Sequence, residues 1–271
     1  VNRFIQLFRI GNCIMGVIGV MLAALVGAGT SMIDYSIEIL IASAIVFTFI
    51  AAGNSLNDYM DREIDKRAHP ERPIPSGKIS ASTALRISAI LFSISFLLSL
   101  LLDAISIAIV MIAILFMLFY EVKLKKEGFG GNFLIALLTG FLFLLGGAVV
   151  KHVEQTVALA AMAFLATLGR EIIKDIEDME ADFDRMTLPK KIGKGKAGAI
   201  ATLFILIAVI LSFEPFIVGI FNIEYLFIVL IADAIFIYSS FLQFQNPKRG
   251  QKLTKVGMFV ALIAFLIGGI L

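Results

Sequence analysis

Residues 36–65 read SIEILIASAIVFTFIAAGNSLNDYMDREID. Positions 36–54 form an apolar run long enough to cross the roughly 30 Å hydrocarbon core of a bilayer. Asp58, Asp61 and Asp65 follow immediately. The run lacks the alternating ten-residue pattern of a barrel strand, and a backbone in lipid has to satisfy its own hydrogen bonds, so a helix is the form it can take. Comparable runs lie at 10–28, 82–101, 104–120, 132–150, 156–173, 197–216, 223–242 and 255–271, which predicts a nine-helix bundle. Composition agrees. Of the 271 residues, 59% are hydrophobic and 16% charged, against about 45–50% and 25% in soluble domains. The expectation is an all-α membrane protein with one membrane-embedded domain spanning 1–271 and no soluble domain. The first run reads as a full span and not as a cleavable leader. Gly16/Gly19 and Gly146/Gly147 read as close-packing points between helices.

Charge supplies the topology. With the N-terminus and every second loop placed together, 22 of the 23 Lys and Arg residues fall on one side and Lys151 alone on the other. The positive-inside rule puts the N-terminus and the two longest connections, roughly 55–81 and 174–196, in the cytoplasm and the C-terminus outside. A net charge of +2 excludes a basic nucleic-acid-binding surface. The single cysteine, Cys13, excludes an intrachain disulfide and a thiolate metal site. Nothing in the sequence points to a required protein partner.

Each long connection opens on a carboxylate string. The first is Asn57-Asp58-Tyr59-Met60-Asp61-Arg62-Glu63-Ile64-Asp65; the second holds Asp175, Asp178 and Asp182, each 117 residues after its counterpart. A Pro/basic stretch follows each, RPIPSGK at 72–78 and LPKKIGK at 188–194. The motif regions, 54–66 and 171–183, thus form a candidate pseudo-repeat. On a helix, offsets of 3 and 7 hold three carboxylates within a stripe roughly 60° wide. Like charges so placed repel, and such a stripe persists either as a solvated face or where cations neutralise it. Mg²⁺ takes oxygen ligands, keeps several waters and bridges one or two carboxylates to substrate phosphates. Two facing stripes could therefore clamp a diphosphate through Mg²⁺, with Arg62, Arg72, Arg170 and Lys174 among the cations that could bind phosphate directly.

The strings NDYMDREID (57–65) and REIIKDIEDMEAD (170–182), the nine spans and the cytoplasmic cap loops together resemble the UbiA superfamily of intramembrane prenyltransferases, over essentially the whole chain. The segments REIIKDIEDMEAD and FYEVKLKKEGFGGN (119–132) are most similar to its archaeal ether-lipid branch. What the resemblance implies is Mg²⁺-dependent transfer of a geranylgeranyl group from geranylgeranyl diphosphate to the glycerol hydroxyl of geranylgeranylglyceryl phosphate. It implies Mg²⁺ held by Asn57, Asp58, Asp61 and Asp65 on one helix end and Asp175, Asp178 and Asp182 on the other, with Asp58, Asp61, Asp175 and Asp178 central to catalysis. It also assigns substrate contacts to Arg9 and Asn12 in the first span and to Tyr120 and Lys123 after the fourth. The Tyr-x-x-Lys spacing departs from the Tyr-x-x-x-Lys of many members, and Lys125 and Lys126 stand beside it.

The chemistry fits these residues. An allylic diphosphate ionises when cations stabilise the departing group, and the carbocation needs a water-poor chamber, which a bundle open to lipid provides. Some of the 24 phenylalanines could face that cation; most read as lipid-facing or packing residues. An aromatic acceptor is an alternative. A cation transporter would carry its site near the midplane in broken helices, whereas these motifs sit at span ends. The single-cluster pattern of CDP-alcohol phosphotransferases is absent, because Arg62 stands where that pattern needs glycine. Asp233, near the centre of a span, is costly to bury and is either a packing or a functional carboxylate. His69, His152, Glu214 and Glu224 read as peripheral.

Overall fold

A computed structural model of the chain describes residues 2–179 and 186–270, and every regular element in it is a helix. A short α1 (Arg3–Phe8) leads into α2 (Ile10–Ala28), and a 3₁₀ turn joins α2 to α3 (Ser36–Met60). The short α4 (Arg62–Ala68) follows, then α5 (Ala81–Ser99), α6 (Ala104–Val122), α7 (Phe129–Val149) and α8 (Val157–Glu177). The last third holds α9 (Leu188–Ile192), α10 (Lys194–Leu211), α11 (Glu214–Ile217), α12 (Ile223–Leu242) and α13 (Pro247–Ile270).

By length and composition the described helices make eight candidate membrane spans, where the hydropathy pattern alone gives nine. The difference lies in the first candidate, Ile10–Met60, 51 residues long. It contains both α2 and α3, which turn at Gly29–Tyr35 and pack against each other. The outward faces carry Ile37, Leu40, Leu115, Ile210 and Phe227, all exposed, an apolar surface of the kind that lipid covers. This is a multi-pass membrane protein.

Several helices outrun their apolar runs. α3 continues six residues past 54, taking Asn57 and Asp58 into the helix. α13 begins at Pro247, eight residues before its apolar run, with proline at a first-turn position where its missing N–H costs nothing. Hydropathy marks only the part of a helix that lipid covers.

Neighbouring helices meet through small residues and hydroxyls. A Cβ on Gly146 would lie 2.5 Å from the Val20 carbonyl oxygen, so α7 reaches α2 only because that residue is glycine. On α2, Gly16 faces Val46 and Ile50 of α3 in the same way. Ser95 Oγ donates to the Ile45 carbonyl at 3.0 Å and Ser88 Oγ to the Ala52 carbonyl at 2.9 Å, tying α5 to α3. Such bonds are worth about 0.6 kcal/mol each on average in a membrane. In the contact order, α5 packs on α3, α3 on α2, α2 on α7, α7 on α8 and α8 on α10. Then α12 and α13 close the ring back onto α8 and α2.

The ring encloses two apolar cavities. One, about 350 Å³, lies among α2, α3, α6 and α7; the other, about 370 Å³, lies among α2, α7, α8, α10, α12 and α13. Asn12 and Thr139 line both, so a narrow polar seam separates two oily chambers.

Candidate active site

Both aspartate motifs sit where long helices end. Asp61 caps the C-terminus of α3 with φ −86° and ψ 2°, and Asp178 caps that of α8 with φ −86° and ψ 0°. The two motifs thus share one local construction. Carboxylates at a helix C-terminus oppose the macrodipole, by about 0.3–1 kcal/mol each, so neighbouring cations have to offset them. The expected single helical stripe is broken at Asp61, whose ψ leaves the helical range. Asp58 therefore belongs to α3 and Asp65 to α4.

Each carboxylate of the first motif has its own cation. Arg9 Nη2 donates to Asp58 Oδ1 at 2.7 Å and to Asn57 Oδ1 at 3.2 Å. Lys125 Nζ lies 2.8 Å from Asp61 Oδ2, and Arg72 Nη1 donates to both oxygens of Asp65 at 2.8 and 2.7 Å. Asp58 and Asp65 are only 2% and 3% exposed, a depth at which an unpaired carboxylate would be very costly. The Arg9 guanidinium arrives there through an unusual backbone. Arg9 adopts a left-handed conformation, φ 50° and ψ 59°, at the junction of α1 and α2. A non-glycine residue there is strained, and such strain concentrates at functional sites. Asn54 Nδ2 anchors the same junction by donating to the Phe8 carbonyl at 2.8 Å.

Two residues not singled out by the sequence add contacts, one to each motif. Glu121, 3% exposed on the last turn of α6, accepts from Asn57 Nδ2 at 3.0 Å and from Lys125 Nζ at 2.8 Å. Asn132, on the first turns of α7, donates from Nδ2 to Asp175 Oδ2 at 2.6 Å. Both lie in the segment 119–132, whose loop turns at Gly128 with φ 65°; a Cβ there would strike the backbone of Met186 and Thr187. Their signal was the density of polar residues between two apolar runs, and neither residue type declares its partner.

The remaining candidates are placed as follows. Lys123 is exposed beside the Phe119 ring, its Nζ 5.9 Å from the centroid, so the buried lysine of this element is Lys125. Tyr120 is half-buried with its ring edge near Gly131. Arg62 lies over the Tyr59 ring at 4.5 Å and donates to the Tyr59 carbonyl at 2.8 Å. Arg170 Nη1 donates to Glu171 Oε1 at 2.8 Å, and Lys174 Nζ to Glu171 Oε2 at 3.4 Å. Asp175 is buried and Asp178 partly so. Asp182 lies outside the described residues.

Among the described residues no three Asp, Glu, His or Cys side chains converge as a ready-made metal cage. The donors present are carboxylates and amide oxygens in pairs, the set Mg²⁺ uses when water and substrate phosphates supply its other ligands. The residues fit a metal shared with a phosphorylated substrate.

A model of the UbiA prenyltransferase family matches residues 16–263. Digeranylgeranylglyceryl phosphate synthase of Methanosphaera stadtmanae is 40% identical over 99% of this chain and 100% of its own length. The enzyme of that name from Methanothermobacter thermautotrophicus is 39% identical over 98% of this chain and 96% of its own. A solved structure concerned with digeranylgeranylglyceryl phosphate synthase in membranes superposes with a TM-score of 0.88 at 38% identity, covering 99% of this chain and 98% of the other. A UbiA homologue from Archaeoglobus fulgidus bound to GPP and Mg²⁺ shares the fold, with a TM-score of 0.70 at 14% identity over 98% of each chain.

Proposed function

The chain belongs to the UbiA prenyltransferase family, and we propose from that premise that it carries out the reaction named by its relatives, joining two prenyl lipids. It transfers the geranylgeranyl group of geranylgeranyl diphosphate to the glycerol hydroxyl of geranylgeranylglyceryl phosphate, giving digeranylgeranylglyceryl phosphate and diphosphate. The observation that carries this reading is the pair of apolar cavities on either side of Asn12 and Thr139. A reaction between two long-chain lipids needs two apolar berths meeting at one polar seam, and each cavity falls in the usual ligand-pocket range of about 300–1,000 Å³.

Asn57, Asp58, Asp61 and Asp65 on one side and Asp175, Asp178 and Asp182 on the other would hold Mg²⁺ with the diphosphate. When bound there, Mg²⁺ supplies Lewis-acid stabilisation of the leaving group. Arg9, Lys125 and Arg72 hold the first carboxylate set in place, and guanidiniums so placed can turn to phosphate oxygens. Arg62, Arg170 and Lys174 add cationic charge around the same helix ends, and Tyr120 with Lys123 borders them. The allylic C1–O bond breaks with its electron pair leaving on diphosphate. The apolar walls keep water from the carbocation, and the acceptor hydroxyl oxygen bonds to C1. Its proton passes to diphosphate or to a motif carboxylate.

We place the site on the cytoplasmic face of the cell membrane, with nine crossings. The stretch Ile10–Met60 is about 77 Å long if straight, more than twice a hydrocarbon core, and its two antiparallel helices account for two crossings. The test is to incubate purified protein, Mg²⁺ and geranylgeranyl diphosphate with geranylgeranylglyceryl phosphate or 4-hydroxybenzoate in parallel. Product in the first mixture alone is expected; product in the second alone would overturn the acceptor assignment.

A further inference from the structure

The second cavity is chemically polarised along its length. Ser212, Asp233 and Val229 line it, as do Arg170 and Lys255. Ser212 follows the end of α10, a helix that runs from Lys194, beside the second motif's connection, to Leu211 on the opposite side. Ser212 Oγ donates to Asp233 Oδ2 at 2.8 Å, and Asp233 stands between Val229 and Phe236 in the lining, so the one acid of the described lining sits part-way along the cavity and not at its motif end. The bases sit at the motif end. Gln251 Nε2 donates to Glu177 Oε2 at 3.3 Å, which fixes the register of α13 against α8. Lys255 lies four residues from that anchor, about 6 Å along α13, and Arg170 seven residues from it, about 10.5 Å along α8. Side chains as long as these bridge the remaining difference in depth.

Neither base is fully used. Arg170 Nη1 binds Glu171, but its Nε is buried without a hydrogen-bond partner. Among the described residues Lys255 makes no ion pair, and its side chain is exposed at the cavity wall. A buried orphan donor calls for a ligand or water that satisfies it. Lys248, Lys252 and Lys255, spaced by four and three, share one face of α13 and are all exposed. They form a run of ammonium groups from the helix end to the cavity mouth, suited to drawing an anionic lipid head along the interface.

We propose that Lys255 and Arg170 form a phosphate subsite at the motif-side mouth of the second cavity, which makes this cavity the berth of the acceptor lipid, an anionic single-chain prenylglycerol phosphate. The subsite rests on the prenyl-transfer reading above and adds to it which cavity takes which substrate. The phosphate sits at the basic mouth and the prenyl chain runs inward, and Asp233, deeper along the cavity, disfavours a phosphate seated there. The glycerol hydroxyl, a few bonds from the phosphate, then lies near the seam formed by Asn12 and Thr139. The diphosphate donor is left to the first cavity.

The test is equilibrium binding in lipid nanodiscs, without metal or donor. Geranylgeranylglyceryl phosphate and its unphosphorylated analogue, geranylgeranylglycerol, are compared on wild type, Lys255→Met and Lys255→Arg. Loss of a charged hydrogen-bonding partner weakens Kd for the phosphorylated lipid about tenfold or more in Lys255→Met. Kd for the unphosphorylated lipid is expected to stay within about twofold, and Lys255→Arg to bind nearly as wild type does. Kinetics on the same variants should raise KM for the phosphorylated acceptor while leaving that for geranylgeranyl diphosphate unchanged. Equal binding of the two lipids by wild type, or unaltered phosphate-lipid binding by Lys255→Met, would overturn the subsite. Absence of transfer by wild type would instead strike the proposed reaction, and the binding result would still decide the subsite.

Discussion

Replacing Lys125 with methionine removes the one cation shared by Asp61 and Glu121, 2.8 Å from each. The lysine and glutamate side chains are 7% and 0% exposed, the Asp61 side chain 20%. Glu121 keeps the Asn57 amide at 3.0 Å, but its charge is left buried without a counter-ion. Breaking a buried pair by removing one partner costs about 3–5 kcal/mol, and the partial exposure of Asp61 points to the lower end, ~3 kcal/mol. The stranded carboxylate is the cause, so Lys125→Met/Glu121→Gln should regain most of the loss. Lys123→Met, which removes an exposed ammonium beside Phe119, should stay within about 0.5 kcal/mol of wild type. Unfolding in graded SDS micelles, followed by helical circular dichroism, measures all three variants. Equal losses in Lys123→Met and Lys125→Met, or a double variant no more stable than Lys125→Met, would refute the assignment of Lys125 as the internal counter-ion.

Gly146→Val should destabilise by more than about 1–3 kcal/mol in the same assay, because the added atoms meet the Val20 backbone and not a yielding side chain. Gly11→Ala, with nothing within 4 Å of the added carbon, is the control and should lose nothing. Orientation can be read with a membrane-impermeant maleimide on intact cells, since native Cys13 is buried. Thr30→Cys should label and Ser76→Cys should not; the reverse pattern would invert the topology.

The helices were legible because hydrophobicity alone determines what lipid can cover; α2 and α12 coincide with their apolar runs at 10–28 and 223–242. The ends were not, since beyond the lipid boundary a helix is held by caps and tertiary contacts. The motif helix is the clearest case. Spacing gave one stripe across Asp58, Asp61 and Asp65, and the backbone divides it at Asp61. Charge pattern identified the carboxylates and the cations around them but not their pairing, because Arg9 reaches Asp58 across 49 positions and Asn132 reaches Asp175 across 43. Choosing between Lys123 and Lys125 was likewise beyond the sequence. It depends on the turn Leu124–Lys126 that ends α6, which directs one ammonium outward and the next inward.

That both helix ends act on one diphosphate through Mg²⁺ is tested most directly by measuring transfer by Asp58→Asn and Asp175→Asn across a Mg²⁺ titration. Each substitution keeps the side chain's shape and its neighbours while removing one negative charge. Either variant alone is expected to lose at least about 100-fold in kcat/KM, about 2.7 kcal/mol of transition-state stabilisation, with the helical spectrum unchanged. Full Mg²⁺-dependent turnover in either variant would contradict it.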